Sequence, residues 1–207
     1  MPFHHPEIPT AERLIFALDV ADADAARAWI ERLGDAVVHY KIGLELLSCG
    51  AYFELLAELK AAGKRVFADL KLHDIPNTVA RAAVESARLG IWMFNVHAMG
   101  GSEMMLRAVD EMRETCEKER LIPPKIIAVT VLTSSNDETL KEIGVKNKTT
   151  DQVLSLARLA SKCGMDGVVA SPHEIKLIRD DILNKRFLIV TPGIRDVSLA
   201  VDAEAKL

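Results

Sequence analysis

The sequence predicts an α/β fold, a (β/α)8 barrel, on three observations. Short apolar runs rich in β-branched residues alternate with longer stretches of helical periodicity. Ionisable or hydroxyl residues stand at or just past the C-terminal ends of most of those runs, and no glycine-rich fingerprint follows the first of them. Strict alternation of strand and helix implies parallel strands joined by crossover helices, which an open doubly wound sheet and a closed barrel both satisfy. The polar strand ends favour the barrel, because there they converge on one mouth, whereas an open sheet gathers its ligands at a switch point after a glycine-rich turn.

The first run, "LIFALDV" (14–20), carries Asp19 at its end, and "VVHYKIG" (37–43) carries Lys41. "RVFADLKL" (65–72) ends with Asp69 and Lys71, and "IWMFNVHA" (91–98) with His97. "KIIAVTVL" (125–132) is followed by Thr133, "GVVASP" (167–172) comes next, and "RFLIVTPG" (186–193) leads to Arg195. Between them "ADAARAWIERLG", "LLAELKAAGK", "VARAAVESARLG" and "DQVLSLARLASKCG" read as amphipathic helices, several closed by the glycine that helix C-termini prefer. After Arg195 only "DVSLAVDAEAKL" remains, too little for an eighth strand with its helix. The expectation is therefore one barrel domain over residues 1–207, incomplete at its C-terminus.

Composition narrows the setting. Of 207 residues 49% are hydrophobic and 27% charged, which suits one globular domain with a substantial core. A net charge of -4 offers no basic footprint for nucleic acid. No apolar stretch approaches the roughly 20 residues that cross a bilayer, so no membrane partner is expected. The start, "MPFHHPEIPTAER", is no secretory signal, and Cys49, Cys116 and Cys163 are odd in number and far apart. A reducing cytoplasm with unpaired, apolar cysteines is the expected setting.

The stretch "ADLKLHDIPNT" (68–78) concentrates the chemistry. Side chains alternate along a strand, so Phe67, Asp69 and Lys71 share one face and Val66, Ala68 and Leu70 the other. In a barrel one face is the lumen, where a carboxylate and an ammonium must be paired. A structural ion pair alone would satisfy that demand. Lys41 and Asp19 at neighbouring strand ends, with Asp74 beyond the turn, exceed it.

These residues carry a resemblance. "FADLKLHDIPNT" resembles the signature of the orotidine 5'-monophosphate decarboxylase family, and "FALDV", "YKIGLEL", "MFNVHAMGG", "AVTVLTS" and "TPGIR" resemble its first, second, fourth, fifth and seventh strands in order. The resemblance implies decarboxylation of orotidine 5'-monophosphate to uridine 5'-monophosphate in de novo pyrimidine biosynthesis, without cofactor or metal. By it, Lys71 stabilises a ring carbanion and protonates it, Asp69 faces the substrate carboxylate, and Lys41 balances Asp69 and positions the ribose. Asp74, with Ile75 and Thr78 beside it, would come from the second subunit of a homodimer with shared sites. Asp19 matches the ribose-hydroxyl ligand; its other reading, a helix N-cap, has better-placed candidates in "VADAD".

Thr133 or Ser134, with Thr133 favoured, matches the reader of the pyrimidine edge, although either hydroxyl could equally serve a local turn. His97 reads as a core or supporting group as readily as a direct one. Met99 stands where the family usually has a small residue. Gly193 and Arg195 match the phosphate site, by backbone N–H groups and a guanidinium fork. The family's following glutamine loop and Gly-Arg strand end have no counterpart in the tail. On the residues alone, a magnesium-dependent sugar-phosphate aldolase or decarboxylase of the same superfamily and a folded non-enzyme remain as alternatives.

Overall fold

In a computed structural model that describes residues 8–9 and 12–194, seven parallel strands pair in sequence order. They are β1 (Ile15–Ala17), β2 (His39–Gly43), β3 (Arg65–Leu72), β4 (Met93–His97), β5 (Lys125–Val129), β6 (Gly167–Val169) and β7 (Leu188–Val190). Each expected run contains its strand. Most strands are shorter than the runs, because the apolar pattern continues past the last ladder hydrogen bond into the loops. The helices are α1 (Ala23–Leu33), α2 (Leu44–Ser48), α3 (Tyr52–Ala61), α4 (Pro76–Arg88), α5 (Gly101–Glu119), α6 (Asp137–Glu142), α7 (Thr149–Lys162) and α8 (Ile175–Asp181). Among the described residues β1 and β7 end the strand order. Arg195 and the tail, and with them the question of an eighth strand, lie outside those residues.

The two faces of the sheet bury different sets of side chains. Tyr40, Ile42, Val66, Ala68, Phe94, Val96, Ile126, Ala128 and Val168 point outward and join the main core under the helices. Phe67, Met93 and Ile127, with Ile15, Trp92, Val169, Leu188 and Val190 packed against them, form a second, smaller cluster on the inner face. Residues two apart on one strand thus serve the same face, as the strand period demands. α1 starts where Asp22 accepts a hydrogen bond from the Ala25 N–H at 2.8 Å, which leaves Asp19 free of capping duty. α4 starts on Pro76, whose missing N–H is no loss in a first turn. No helix among the described residues is long and apolar enough to cross a membrane.

His39 shows how far the inner face is sealed. It is fully buried, its ring lies 4.0 Å from that of Trp92, and neither ring nitrogen has a hydrogen-bond partner among the described residues. Burial first, and then the charge of Arg65, push its pKa below the ordinary histidine value, against a smaller opposing pull from Glu12. A group that prefers to stay neutral when folded binds its proton more readily when unfolded. Its stability contribution is therefore complete above about pH 6.5 and lost as the pH falls below that toward the folded value. Thermal melts are expected to decline between pH 7.5 and 5.5, and His39→Phe should flatten that decline. An unchanged slope in the variant would remove His39 as its source.

Candidate active site

Parallel pairing brings the C-terminal ends of all seven strands to one rim, and four of the expected residues meet there. The Asp69 carboxylate lies between two ammonium groups, with Oδ1 2.8 Å from Lys71 Nζ and Oδ2 2.9 Å from Lys41 Nζ. Lys41 Nζ also donates to Asp19 Oδ1 at 3.0 Å. The result is an alternating row Asp19, Lys41, Asp69, Lys71. Asp69 is the innermost, its side chain 12% exposed, whereas Lys71 retains 33% and Asp19 60%. The row is most accessible at its ends and least so in its middle, where Lys41 keeps 18% and Asp69 12%. β2 register explains the second member: Lys41 pairs with Phe67 and Gly43 with Asp69, so Lys41 sits one pleat below Asp69 on the same face.

The third strand is not regular where it carries these groups. Pairing with β4 runs Phe67 to Met93 and Ala68 to Phe94, then resumes only at Leu72 with Val96, so four steps on β3 face two on β4. Lys71 has φ 49°, in the left-handed region, where a non-glycine residue loses roughly 1–2 kcal/mol. Side chains nevertheless keep alternating, with Leu70 and Leu72 packed outward. Asn95, 1% exposed, fills the irregularity: its Oδ1 accepts the Lys71 backbone N–H at 2.7 Å, and its Nδ2 donates to Asp69 Oδ1 at 2.7 Å. Sequence reasoning passed over Asn95. Its signal was available, since an amide two residues before His97 in an otherwise apolar run suits neither strand propensity nor burial without partners.

The electrostatics follow from the row. Burial by itself would raise the Asp69 pKa, but the hydrogen bond from Lys71, the Lys41 charge and the Asn95 amide together hold it below the ordinary aspartate value. Burial likewise works to lower the Lys41 pKa, and its two carboxylate partners, Asp69 foremost, reverse that and raise it. Asp69 and Lys41 are therefore charged across the physiological range. What the arrangement can do chemically is hold an ammonium, Lys71, partly open to the mouth and oriented by a largely buried carboxylate. Such a group can stabilise negative charge that develops on a neighbouring atom and can deliver a proton to it.

Other expected residues surround this row without joining it. Asp74 is exposed and its Oδ1 accepts from the Ile75 N–H at 2.6 Å. Ile75 is 66% exposed, and Thr78 is also exposed in the first turn of α4. His97 ends β4 half-buried, its ring 5.5 Å from that of His73, and burial together with the His73 and Lys71 charges lowers its pKa. Thr133 and Ser134 are exposed beyond β5. Met99 is 41% exposed at the same rim. Gly193, past β7, has φ 74°, a conformation that glycine adopts without penalty and that other residues resist. Arg195 lies outside the described residues.

Comparisons with known proteins find relatives along most of the chain. Residues 12–206 match the family described as Orotidine 5'-phosphate decarboxylase / HUMPS family. The "Orotidine 5'-phosphate decarboxylase" of Syntrophotalea carbinolica is 47% identical over 189 residues, spanning 91% of this chain and 76% of its own. The protein of the same description from Geobacter metallireducens is 46% identical over 198 residues, spanning 95% of this chain and 80% of its own. The crystal structure of Orotidine 5'-phosphate decarboxylase from Lactobacillus acidophilus superposes with a TM-score of 0.79 at 40% identity, covering 88% of this chain and 81% of that one. An uncharacterized conserved protein from Geobacillus kaustophilus superposes with a TM-score of 0.78 at 35% identity, over 86% of this chain and 82% of that one.

Proposed function

The chain belongs to the orotidine 5'-phosphate decarboxylase / HUMPS family, and from that premise we propose that it converts orotidine 5'-monophosphate to uridine 5'-monophosphate and carbon dioxide in de novo pyrimidine biosynthesis. One observation carries the reading: a single largely buried carboxylate, Asp69, contacts two ammonium groups, and one of them, Lys71, remains open to the rim. In the reaction the bond between the pyrimidine ring carbon and the substrate carboxylate breaks, and its electron pair stays on the ring carbon. Lys71 lowers the energy of that carbanion by its charge and then transfers a proton from Nζ to the same carbon. The neutral amine recovers its proton from solvent. Asp69 faces the departing carboxylate, and two such charges about 4 Å apart repel by on the order of 4 kcal/mol at an effective dielectric near 20. The repulsion fades as carbon dioxide forms, and the carbanion term is the larger of the two.

Substrate binding is assigned along the same rim. Asp19 accepts hydrogen bonds from ribose hydroxyls, Lys41 holds Asp69 and the ribose, and Thr133 reads the pyrimidine edge. Gly193 and Arg195 take the phosphate. The enzyme works in the cytoplasm as a homodimer, in which Asp74, Ile75 and Thr78 reach the partner's Lys71. Their exposure on one chain, with Asp74 outside the row, supports that role. The test is release of carbon dioxide and appearance of uridine 5'-monophosphate on incubation with orotidine 5'-monophosphate. Turnover is expected to be the same with and without a chelator, and its loss on chelation would overturn the metal-free reading. A mixture of Asp74→Ala and Lys71→Ala protomers should regain activity that neither has alone, since one of the two mixed sites is intact. No recovery in demonstrated heterodimers would confine Asp74 to its own chain.

A further inference from the structure

We infer that Asn95 is a positioning residue for the Lys71 ammonium: its carbonyl holds the left-handed backbone at Lys71, and its amide holds the carboxylate that orients the Lys71 side chain. The inference rests on the proposed roles of Lys71 and Asp69 and adds the device that sets them relative to each other.

The bulge in β3 removes Lys71 from the ladder with β4, so its backbone N–H has no strand carbonyl opposite it. A partly buried N–H outside the ladder still needs a partner, and Asn95 Oδ1 supplies one at 2.7 Å. The same side chain closes the other half of the loop, with Nδ2 2.7 Å from Asp69 Oδ1. The amide orientation is forced, because the backbone N–H can only donate and an ionised carboxylate can only accept. Asp69 Oδ1 in turn receives Lys71 Nζ at 2.8 Å. One ring of contacts therefore runs from the Lys71 backbone through Asn95 and Asp69 back to the Lys71 ammonium.

Few side chains satisfy both ends. Aspartate keeps the acceptor and loses the donor, leucine loses both, and glutamine is one methylene too long for a site in which Asn95 is 1% exposed. The strained φ of 49° at Lys71 persists because this side chain over-determines it. Without it the strand would relax toward regular pairing, and the ammonium would leave the position that Asp69 fixes. A misplacement of about 1 Å at a reacting group lowers turnover by on the order of 10²-fold.

Two variants of the full chain separate the two halves. Asn95→Ala removes both contacts. Its crystal structure is expected to have a negative φ at Lys71, with kcat lowered about 10²-fold and KM changed less than about threefold, since uniform binding is untouched. Asn95→Asp keeps the acceptor, so φ at Lys71 should stay positive. Its carboxylate opposes that of Asp69, so kcat should fall and the acid limb of the kcat profile should move to higher pH, as a like charge raises a carboxylate pKa. A purely structural asparagine would leave both the positive φ at Lys71 and the KM-against-kcat split unmoved in Asn95→Ala. Retention of the positive φ in Asn95→Ala with kcat near wild type overturns the inference. If Asn95→Ala fails to fold, wild-type kcat and an unmoved acid limb in Asn95→Asp overturn it instead. Substantial turnover in Lys71→Ala sinks the assignment of the site itself, whereas an inactive Lys71→Ala beside a fully active Asn95→Ala sinks only the role of Asn95. The backbone measurement needs no turnover.

Discussion

Lys71→Ala is expected to lower kcat on the order of 10⁵-fold, combining loss of a positioned general acid with loss of the charge that stabilises the carbanion. Product-like nucleotides should bind within about tenfold of wild type, because the ammonium acts on the transition state more than on the ground state. Folding should change little, since the Lys71 side chain retains a third of its exposure and its removal leaves Asp69 with Lys41 and Asn95 as partners. Paired measurements of single-turnover decarboxylation and uridine 5'-monophosphate binding decide the matter. A variant that keeps substantial turnover removes Lys71 as proton donor, and one that loses nucleotide binding as severely as turnover makes it a ground-state ligand.

Asp69→Ala is expected to damage stability and turnover together, which distinguishes it from Lys71→Ala. Its removal leaves Lys41 with Asp19 alone and Lys71 with no carboxylate among the contacts that hold it now, and it strips the Asn95 amide of its acceptor. Breaking a buried charge cluster from its centre costs about 3 kcal/mol or more, which for a chain of this size lowers Tm by roughly 6–12 °C. Turnover should fall on the order of 10³-fold, as the ammonium loses its orientation. Asp69→Asn keeps the volume, so its Tm loss should be smaller while the turnover loss persists. The wild-type carboxyl, held below the ordinary aspartate value, contributes stability that is complete above about pH 4 and lost as the pH falls through its lower folded value. Acid melts should show that loss in wild type and a smaller one in Asp69→Asn. Equal acid slopes, with a Tm unchanged in Asp69→Ala, would make the row dispensable to the fold.

The sequence by itself determined the strand order, the handed-on alternation with helices, and the rim to which the charged groups go. Each of these depends on local patterning: apolar residues at period 2 or 3.6, and a polar residue wherever a strand leaves the core. Asp19, Lys41, Asp69 and Lys71 were legible for that reason, since each closes an apolar run, and "VADAD" was legible as the source of a helix cap, which the structure assigns to Asp22. The tertiary structure decided what pairing between strands decides. That Lys41 bridges two aspartates depends on the register of β2 with both neighbours, which a sequence read strand by strand does not contain. The left-handed Lys71 depends on two extra residues of β3 opposite β4, and on an acceptor, Asn95, that lies 24 residues away along the chain. Simple alternation had Asp69 and Lys71 on one face, and they are, but through a bulge whose partner is non-local. Backbone groups released from a ladder must find a donor or acceptor wherever folding brings one, and only the folded chain says where that is.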